Sequence, residues 1–287
     1  MRDISGQKRE LGDGFSVARV LPQAQQRTVG PFVFFDYFGP VDFAPGKGID
    51  VRPHPHIGLA TITYLFAGSQ VHRDNLGNVQ EIVPGDVNWM TAGRGIAHSE
   101  RTGPDVRAGG DRMHGIQSWV GLPTKNEDDA PSFQHIAASA LPTREADGVT
   151  LRIVTGKAFG LASPVAVPMP IFYVDARLRA GSRIVLPDDY EERGAMVVGG
   201  TVSSGGSRHE DGAMIVFDRG ERPEIEAVTD SRMMLLGGAP LDGHRHVWWN
   251  FVSSSMEKIE NAKADWKAGR FAKIPGDDRE FIPLPEK

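Results

Sequence analysis

Cysteine is absent from all 287 residues, which excludes disulfide bonds, thiolate metal ligands and cysteine nucleophiles. Basic residues are not in excess, since 32 Lys and Arg stand against 37 Asp and Glu, and no basic stripe for nucleic acid is present. Apolar runs such as residues 32–35 are too short to cross a bilayer, and residues 1–10 contain no apolar signal core. We therefore expect a soluble, cytoplasmic protein that binds neither a membrane nor nucleic acid directly.

Short apolar segments separated by turn residues dominate the chain, in which Gly (34) and Pro (20) are frequent. Many of these segments are rich in β-branched, aromatic and Met side chains, which is typical of buried strands. The predicted strands are residues 31–37, 60–66, 86–90, 115–120, 151–155, 171–176, 195–198, 213–217 and 233–236. The pattern predicts an all-β sandwich or barrel, and about 150 residues per domain predicts two domains.

The two predicted domains share a weak internal repeat. Residues 31–36 and 170–175 each consist of a Pro, four apolar residues and an Asp, and residues 64–68 resemble residues 196–200. A polar stretch at residues 141–148 indicates a boundary near residue 140. We therefore expect an N-terminal domain at residues 1–140 and a similar C-terminal domain at residues 141–287.

One helix is predicted near the C-terminus, over residues 255–268, and is assigned to the second domain. Four apolar side chains recur at spacings of three, three and four: Met256, Ile259, Ala262 and Trp266. Ser254 and Glu257 have the spacing of a capping box, in which each side chain bonds to a free backbone amide. Gly269 is expected to end the helix.

Two histidine-containing motifs have the spacing of metal ligands. His54 and His56 form one pair, and His98 and Glu100 form the other. On an extended strand, residues two apart point to the same face, so each pair delivers two ligands side by side. Three imidazoles and a carboxylate suit an octahedral ion such as Fe(II), Mn(II), Ni(II) or Co(II), with two positions left open for catalysis. Either pair alone is more typical of surface or hydrogen-bonded side chains; the two together favour a metal site.

Three segments resemble the pirin family of the cupin superfamily. They are RPHPHIGLATITY at residues 52–64, PGDVNWMTAGRGIAHSE at residues 84–100 and HGIQSWVGLP at residues 114–123. The resemblance implies a bicupin, with two antiparallel β-barrel (jelly-roll) domains in one chain and metal only in the N-terminal one. The metal ligands of the family fall on His54, His56, His98 and Glu100. Ala60 stands where many members carry Glu, a change that we expect to tune the site and not to abolish it.

The internal repeat tests whether the second domain has a comparable set of ligands. The offsets of the four candidate ligands from Gly68 and Gly85, applied to Gly200 and Gly212, give Leu186, Asp188, Ile225 and Ala227. None of these residues is an imidazole. We therefore expect a second barrel without metal, which packs, shapes the cleft or binds a partner.

The resemblance implies a metal-dependent dioxygenase of the quercetin 2,3-dioxygenase type, which opens the ring of a flavonol or another small phenolic substrate. In that reaction Glu100 is the expected general base. The expected cofactor is one divalent transition metal, with Fe(II) first and Ni, Mn, Co, Cu or Zn as alternatives. The alternative function is a metal- or redox-dependent regulatory protein, similar to a transcription cofactor, that binds a partner protein without turnover. A third possibility is a metal-binding barrel whose turnover of phenols is incidental.

Six further histidines are weaker candidates: His72, His114, His135, His209, His244 and His246. The last two lie in a Gly- and Pro-rich segment that predicts a solvated loop. His72 is expected in a turn region. His135 and His209, each isolated in the sequence, are expected at the surface. His114 begins a strand and is expected either to support a ligand from behind or to be structural, and not to be a ligand itself. Arg94, between two glycines, is interpreted as a pocket cation or a loop residue.

Overall fold

The computed structural model describes residues 1–12 and 15–286, without the side chains of residues 11 and 12. Most of these residues lie in strands. The first twelve strands are β1 Arg2–Ser5, β2 Gln7–Gly12, β3 Phe15–Leu21, β4 Phe32–Phe43, β5 Asp50–His56, β6 Leu59–Ala67, β7 Gln70–Asp74, β8 Val79–Ile82, β9 Val87–Thr91, β10 Ile96–Arg101, β11 Asp111–Gly121 and β12 Ser132–Ile136.

The remaining strands continue the same pattern of short, paired segments. They are β13 Thr143–Ala146, β14 Val149–Ala158, β15 Leu161–Ala162, β16 Ile171–Leu178, β17 Arg183–Val185, β18 Glu192–Gly199, β19 Thr201–Ser204, β20 Ser207–Glu210, β21 Ala213–Phe217, β22 Glu224–Ala227, β23 Ser231–Gly238, β24 His246–Trp248 and β25 Phe251–Ser253. Helices α1 Pro104–Gly109 and α2 Met256–Lys267 complete the described elements with two 3-10 turns, Thr124–Asn126 and Ala138–Ala140. Each of the nine predicted strands coincides with a strand of the structure, to within four residues at either end except for residues 31–37, beyond which β4 continues for six residues.

The chain divides into two compact units. Unit 1 comprises Met1–Lys8, Ala18–Tyr37 and Ile136–Pro240, and unit 2 comprises Arg9–Val17, Phe38–His135 and Leu241–Lys287. This division differs from the predicted single boundary near residue 140. Helix α2 lies in unit 2 with the candidate ligands, not with residues 141–240, because its buried side chains pack against residues of that unit, as described below.

Unit 2 places the candidate ligands in a four-stranded sheet with the order β5-β10-β7-β8. Strand β10 is antiparallel to both of its neighbours, with His98 opposite His54 on β5 and opposite Asp74 on β7. Glu100 lies opposite His72 on β7. The register therefore brings side chains from three strands together on one face.

Unit 1 contains a sheet with the matching order β17-β22-β19-β20. The common strand order bears out the internal repeat. Of the four positions that the repeat predicted, Leu186, Ile225 and Ala227 are buried in an aliphatic core, whereas the Asp188 side chain is 62% exposed. The interior of this unit at those positions is thus filled by hydrocarbon side chains.

Helix α2 begins one residue later than predicted and lacks the predicted capping box. Ser255 is the N-cap and makes no capping hydrogen bond with its side chain. The hydroxyl of Ser254 instead donates to the buried carboxylate of Glu127 (2.9 Å) and does not form the predicted capping box. The helix buries Ile259 and Ala262 against Ile57 and Phe251. Its end is as predicted: Gly269 follows the C-cap in the left-handed region, at φ +68°.

No described helix combines the length and the apolar character needed to span a bilayer.

Candidate metal centre

Strands β5 and β10 carry the four predicted ligands into the interior of unit 2. His54 and His56 are 6% and 1% exposed, and His98 and Glu100 are 1% and 7% exposed. The alternation of a strand, with one Pro between the first two histidines, places both imidazoles on the same face. Gly58 turns the chain directly after this pair at φ +66°, where a Cβ atom would lie 1.9 Å from the carbonyl oxygen of Val252.

Backbone carbonyls fix the orientation of two imidazoles. Nδ1 of His54 lies 2.9 Å from the carbonyl oxygen of Arg52, and Nδ1 of His56 lies 2.9 Å from that of Asn250. A carbonyl oxygen only accepts hydrogen bonds, so Nδ1 of each ring carries the proton. The lone pair of Nε2 is therefore free in both rings, which is the state in which histidine binds a metal.

The three imidazoles converge. The ring centroids of His54 and His98 are 4.3 Å apart, and His56 lies 5.0 Å from each of them. One nitrogen from each ring belongs to a group of potential ligand atoms that all lie within 4.8 Å of one another. The Nε2 atoms of His56 and His98 are 3.1 Å apart. Two nitrogens bound at about 2.1 Å to one ion at a right angle would be separated by about 3 Å.

Burial keeps these imidazoles neutral. It lowers the pKa of His54 to about 4, and it holds the pKa values of His56 and His98 well below the ordinary value, with the neighbouring histidines adding to the effect. With their protons on Nδ1, the rings of His54 and His56 leave the Nε2 lone pairs free for a cation. The donor set thus fits a divalent transition metal, for which neutral imidazole is a suitable ligand.

Glu100 lies apart from the three-histidine group. Nε2 of Gln70 donates to Oε1 of Glu100 at 3.5 Å, and the carboxylate is not part of the cluster of atoms within 4.8 Å. Burial raises the pKa of Glu100 to about 7, although a hydrogen bond with Thr63 acts in the opposite direction. The side chain can therefore gain or lose a proton near neutral pH, as a general acid or base must.

His72 is the residue at this site that sequence reasoning missed. It was expected in a turn region but lies on β7, is 3% exposed and stacks on Phe133 with ring centroids 4.4 Å apart. Its Nδ1 atom is 3.4 Å from Nδ1 of His98. The available signal was the spacing of His72 and Asp74, two residues apart, just before the turn at residues 75–77.

The other histidines are away from the three-histidine group. His244 and His246 pack edge to face with centroids 4.7 Å apart, the first exposed and the second half-buried. His135 is half-buried and contacts Oδ1 of Asn88 through Nδ1 (2.7 Å). His209 was expected at the surface but is buried in unit 1, where Nδ1 lies 2.9 Å from Asp3. The half-buried His114 packs on Phe66, with ring centroids 4.9 Å apart.

A small cavity of about 160 Å³ lies elsewhere in unit 2. Arg94 contributes to its lining together with Lys258 and Asn261 of helix α2 and the ring of Phe271. Arg94 itself is exposed. It lies in the turn between β9 and β10 and is thus a loop residue that borders this cavity.

Two β-sheet domains with the same strand order, one of which carries clustered histidines in its interior, define the bicupin class of the cupin superfamily. Residues 14–120 match the family model described as Pirin, and residues 173–272 match the model described as Pirin C-terminal cupin domain. The chain belongs to the pirin family.

Similar proteins cover nearly the whole chain. A pirin-like protein from Caulobacter vibrioides is 50% identical over 287 residues, which make up 99% of this chain and 98% of that protein. A quercetin 2,3-dioxygenase from Acinetobacter baumannii, known from a crystal structure, is 34% identical in sequence with a TM-score of 0.91. The match covers 100% of this chain and 96% of that chain. A second quercetin 2,3-dioxygenase structure from the same organism is 28% identical with a TM-score of 0.87, covering 94% and 97%.

Proposed function

We propose that this protein is a metal-dependent dioxygenase that opens the ring of a flavonol-like phenolic substrate in the manner of quercetin 2,3-dioxygenase. The observation that carries the proposal is the convergence of three neutral imidazoles, with Nε2 of His56 and His98 only 3.1 Å apart. The similarity to a quercetin 2,3-dioxygenase structure over the full length of the chain supports this substrate class.

In this proposal His54, His56 and His98 hold one divalent metal, and Glu100 is the fourth ligand, which requires its carboxylate to move toward the histidines because it lies outside their group of ligand atoms. Fe(II) is our first choice, with Ni, Mn, Co, Cu or Zn as alternatives, because ligands of this type accept all of them and availability decides. The bound metal supplies a Lewis acid for the substrate enolate and a centre for the chemistry of O2. The proposed compartment is the cytoplasm.

Glu100 has the chemistry of the general base. Burial raises its pKa in the metal-free protein to about 7, and in this proposal the carboxylate takes the proton of the 3-hydroxyl group of a flavonol. The resulting enolate is electron-rich, and its reaction with O2 incorporates both oxygen atoms, opens the ring and releases carbon monoxide. Gln70, which donates to Oε1 of Glu100, orients this carboxylate.

The test combines metal analysis of protein purified without chelators or affinity metals with detection of carbon monoxide released from quercetin. We expect about one metal ion per chain and release of carbon monoxide, with both lost in His98→Ala. Glu100→Gln should retain part of the metal but lose turnover. The matched control is His135→Ala, which removes a half-buried imidazole outside the three-histidine group and should change neither quantity.

Other outcomes separate the alternatives. Metal without carbon monoxide release would contradict the dioxygenase and favour a metal-dependent regulatory protein, whose capture of a partner protein should then depend on the metal. Slow turnover of many unrelated phenols would favour a barrel with incidental activity. A chain that binds no metal, even after incubation with each candidate ion, would contradict the four-ligand site itself.

A further inference from the structure

The outer ring nitrogen of His98 contacts a side chain, whereas those of His54 and His56 contact the main chain. Nδ1 of His98 lies 3.4 Å from Nδ1 of His72, and Nε2 of His72 lies 3.2 Å from Oδ2 of Asp74. The three side chains are 1%, 3% and 0% exposed. They therefore form a buried chain of hydrogen-bonding groups that ends at a predicted metal ligand.

Asp74 determines which ring nitrogens donate and which accept in this series of hydrogen-bonding groups. Its Oδ1 atom accepts the backbone amides of Leu76 (2.9 Å) and Asn78 (3.0 Å), and its Oδ2 atom accepts the side-chain amide of Asn78 (2.8 Å). Burial acts to raise the pKa of Asp74, but the hydrogen bonds from His72 and Asn78 outweigh it and hold the pKa below its ordinary value. Asp74 is thus a carboxylate, which only accepts hydrogen bonds.

The proton positions in this series of hydrogen-bonding groups follow from the carboxylate of Asp74. Because Asp74 accepts, Nε2 of His72 carries the proton, and Nδ1 of the same ring has a free lone pair. That lone pair accepts the Nδ1 proton of His98, which leaves Nε2 of His98 unprotonated. Nε2 is the atom that faces His56 at 3.1 Å. The stacking of Phe133 on His72, with an angle of 11° between the rings, holds the plane of the intermediate imidazole.

We propose that His72, oriented by Asp74, is a positioning residue that sets the tautomer and ring orientation of His98 for metal binding. This inference rests on the metal site of the proposed function. His72 reaches the metal only through His98, since the contact between the two rings joins their Nδ1 atoms. An imidazole whose outer nitrogen donates to a fixed acceptor is a more basic and better oriented ligand, and loss of such a partner typically weakens metal binding 10- to 100-fold.

The experiment uses Co(II) as the probe, because its visible spectrum reports coordination. The full-length protein is freed of metal with a chelator, and Co(II) affinity is measured by competition with a chromophoric chelator. His72→Leu, which removes the acceptor, should bind Co(II) about 10- to 100-fold more weakly and with an altered visible spectrum. His72→Gln, whose side-chain oxygen can accept from Nδ1 of His98, should recover part of the affinity and the wild-type spectrum.

The matched control is His135→Leu, which removes a half-buried imidazole from the same unit and should leave both readouts unchanged. Thermal unfolding of the metal-free variants establishes that each is folded. Equal affinity and an unchanged spectrum in His72→Leu would overturn the positioning role while leaving the metal site intact. Failure of His72→Gln to recover any affinity would also overturn it, because packing alone would then explain the loss. Failure of the wild-type protein to bind Co(II) or another candidate ion would instead overturn the proposed function.

Discussion

The carboxylate of Asp277 binds the hydroxyl of Ser99 at 2.7 Å and thereby ties the C-terminal tail to the strand that carries His98 and Glu100. Arg101, on the same strand, donates to both oxygens of this carboxylate, at 2.7 and 2.9 Å. Further along the tail, the amide of Ile282 donates to the carbonyl oxygen of Pro53, the residue before His54. The tail thus contacts both strands that supply candidate ligands.

Replacement of Asp277 by Ala should destabilise unit 2. The side chain is only 12% exposed, and the variant leaves the part-buried guanidinium of Arg101 without its bidentate partner. We expect a loss of about 1–3 kcal/mol in the free energy of unfolding, measured by urea denaturation. The neighbouring Asp278→Ala is the control: its 47% exposed carboxylate reaches only Lys273 at 3.7 Å, so the change should stay within about 0.5 kcal/mol. Equal effects of the two variants would contradict this role of the tail.

Glu100 should make the metal-free protein less stable as the pH rises. Burial raises its pKa from 4.5 to about 7, so between these values the folded state binds more protons than the unfolded state. The contribution of this carboxyl to stability is complete below pH 4.5 and is lost as the pH rises through 7. Between pH 5 and pH 8 the loss amounts to about 2–3 kcal/mol.

Glu100→Gln removes this proton linkage and tests the prediction. In urea denaturation of the metal-free proteins, the free energy of unfolding of Glu100→Gln relative to the wild-type protein should rise by about 2–3 kcal/mol from pH 5 to pH 8. The histidines are common to both proteins, so their titration cancels in the difference. A pH-independent difference would mean that Glu100 ionises at its ordinary pKa.

Glu100 should also make metal affinity depend on pH if it is a ligand. A carboxyl with a pKa of about 7 must lose its proton to bind a cation. The wild-type affinity for Co(II) should therefore fall about tenfold from pH 8 to pH 6. The imidazoles add little in this range, because burial lowers the pKa of His54 to about 4 and holds the pKa values of His56 and His98 well below the ordinary value. Glu100→Gln should show almost no change between these pH values, whereas the same tenfold fall in this variant would exclude Glu100 as the titrating ligand.

Helix α2 should contribute to stability through its buried face. Ile259 is fully buried against Ile57 and Phe251, so Ile259→Ala should lower the free energy of unfolding by about 2–4 kcal/mol. Met256→Ala is the matched control on the same helix. The Met256 side chain is 47% exposed, so this substitution should lower the free energy of unfolding by less than about 1 kcal/mol. Thermal or urea unfolding measures both, and similar losses would contradict the packing.

Local patterns in the sequence were sufficient for nine of the described strands and for the spacing of the candidate ligands, but not for the other strands, among them β5 and β10. Buried strands can be recognised by their continuous apolar runs, and the positions of His54, His56 and His98 follow from the two-residue period of a strand. The association of helix α2 with unit 2 could not be predicted in this way. Its apolar face specifies that it is buried but not against which of two similar sheets, and Ile57 is about 200 residues away in the chain.

Sequence reasoning also missed many short strands whose pairing is long-range, among them β1 and β7. Strand β1 pairs with β21, with Asp3 opposite Ile215, and its mostly polar residues give no strong strand signal. Asp3 of this strand contacts the buried side chain of His209. His72 was misplaced for a related reason: only the register of β7 against β10 shows that it lies behind a ligand.

The main-chain carbonyls of Arg52 and Asn250 orient His54 and His56. A site organised by its own scaffold can receive its ion after folding is complete, and the ion can be exchanged without unfolding the chain. The occupant is then selected by the metal supply of the cell, because mixed imidazole and carboxylate sites discriminate weakly among divalent transition metals. Protein produced in different growth media should accordingly carry different metals in the same three-histidine pocket.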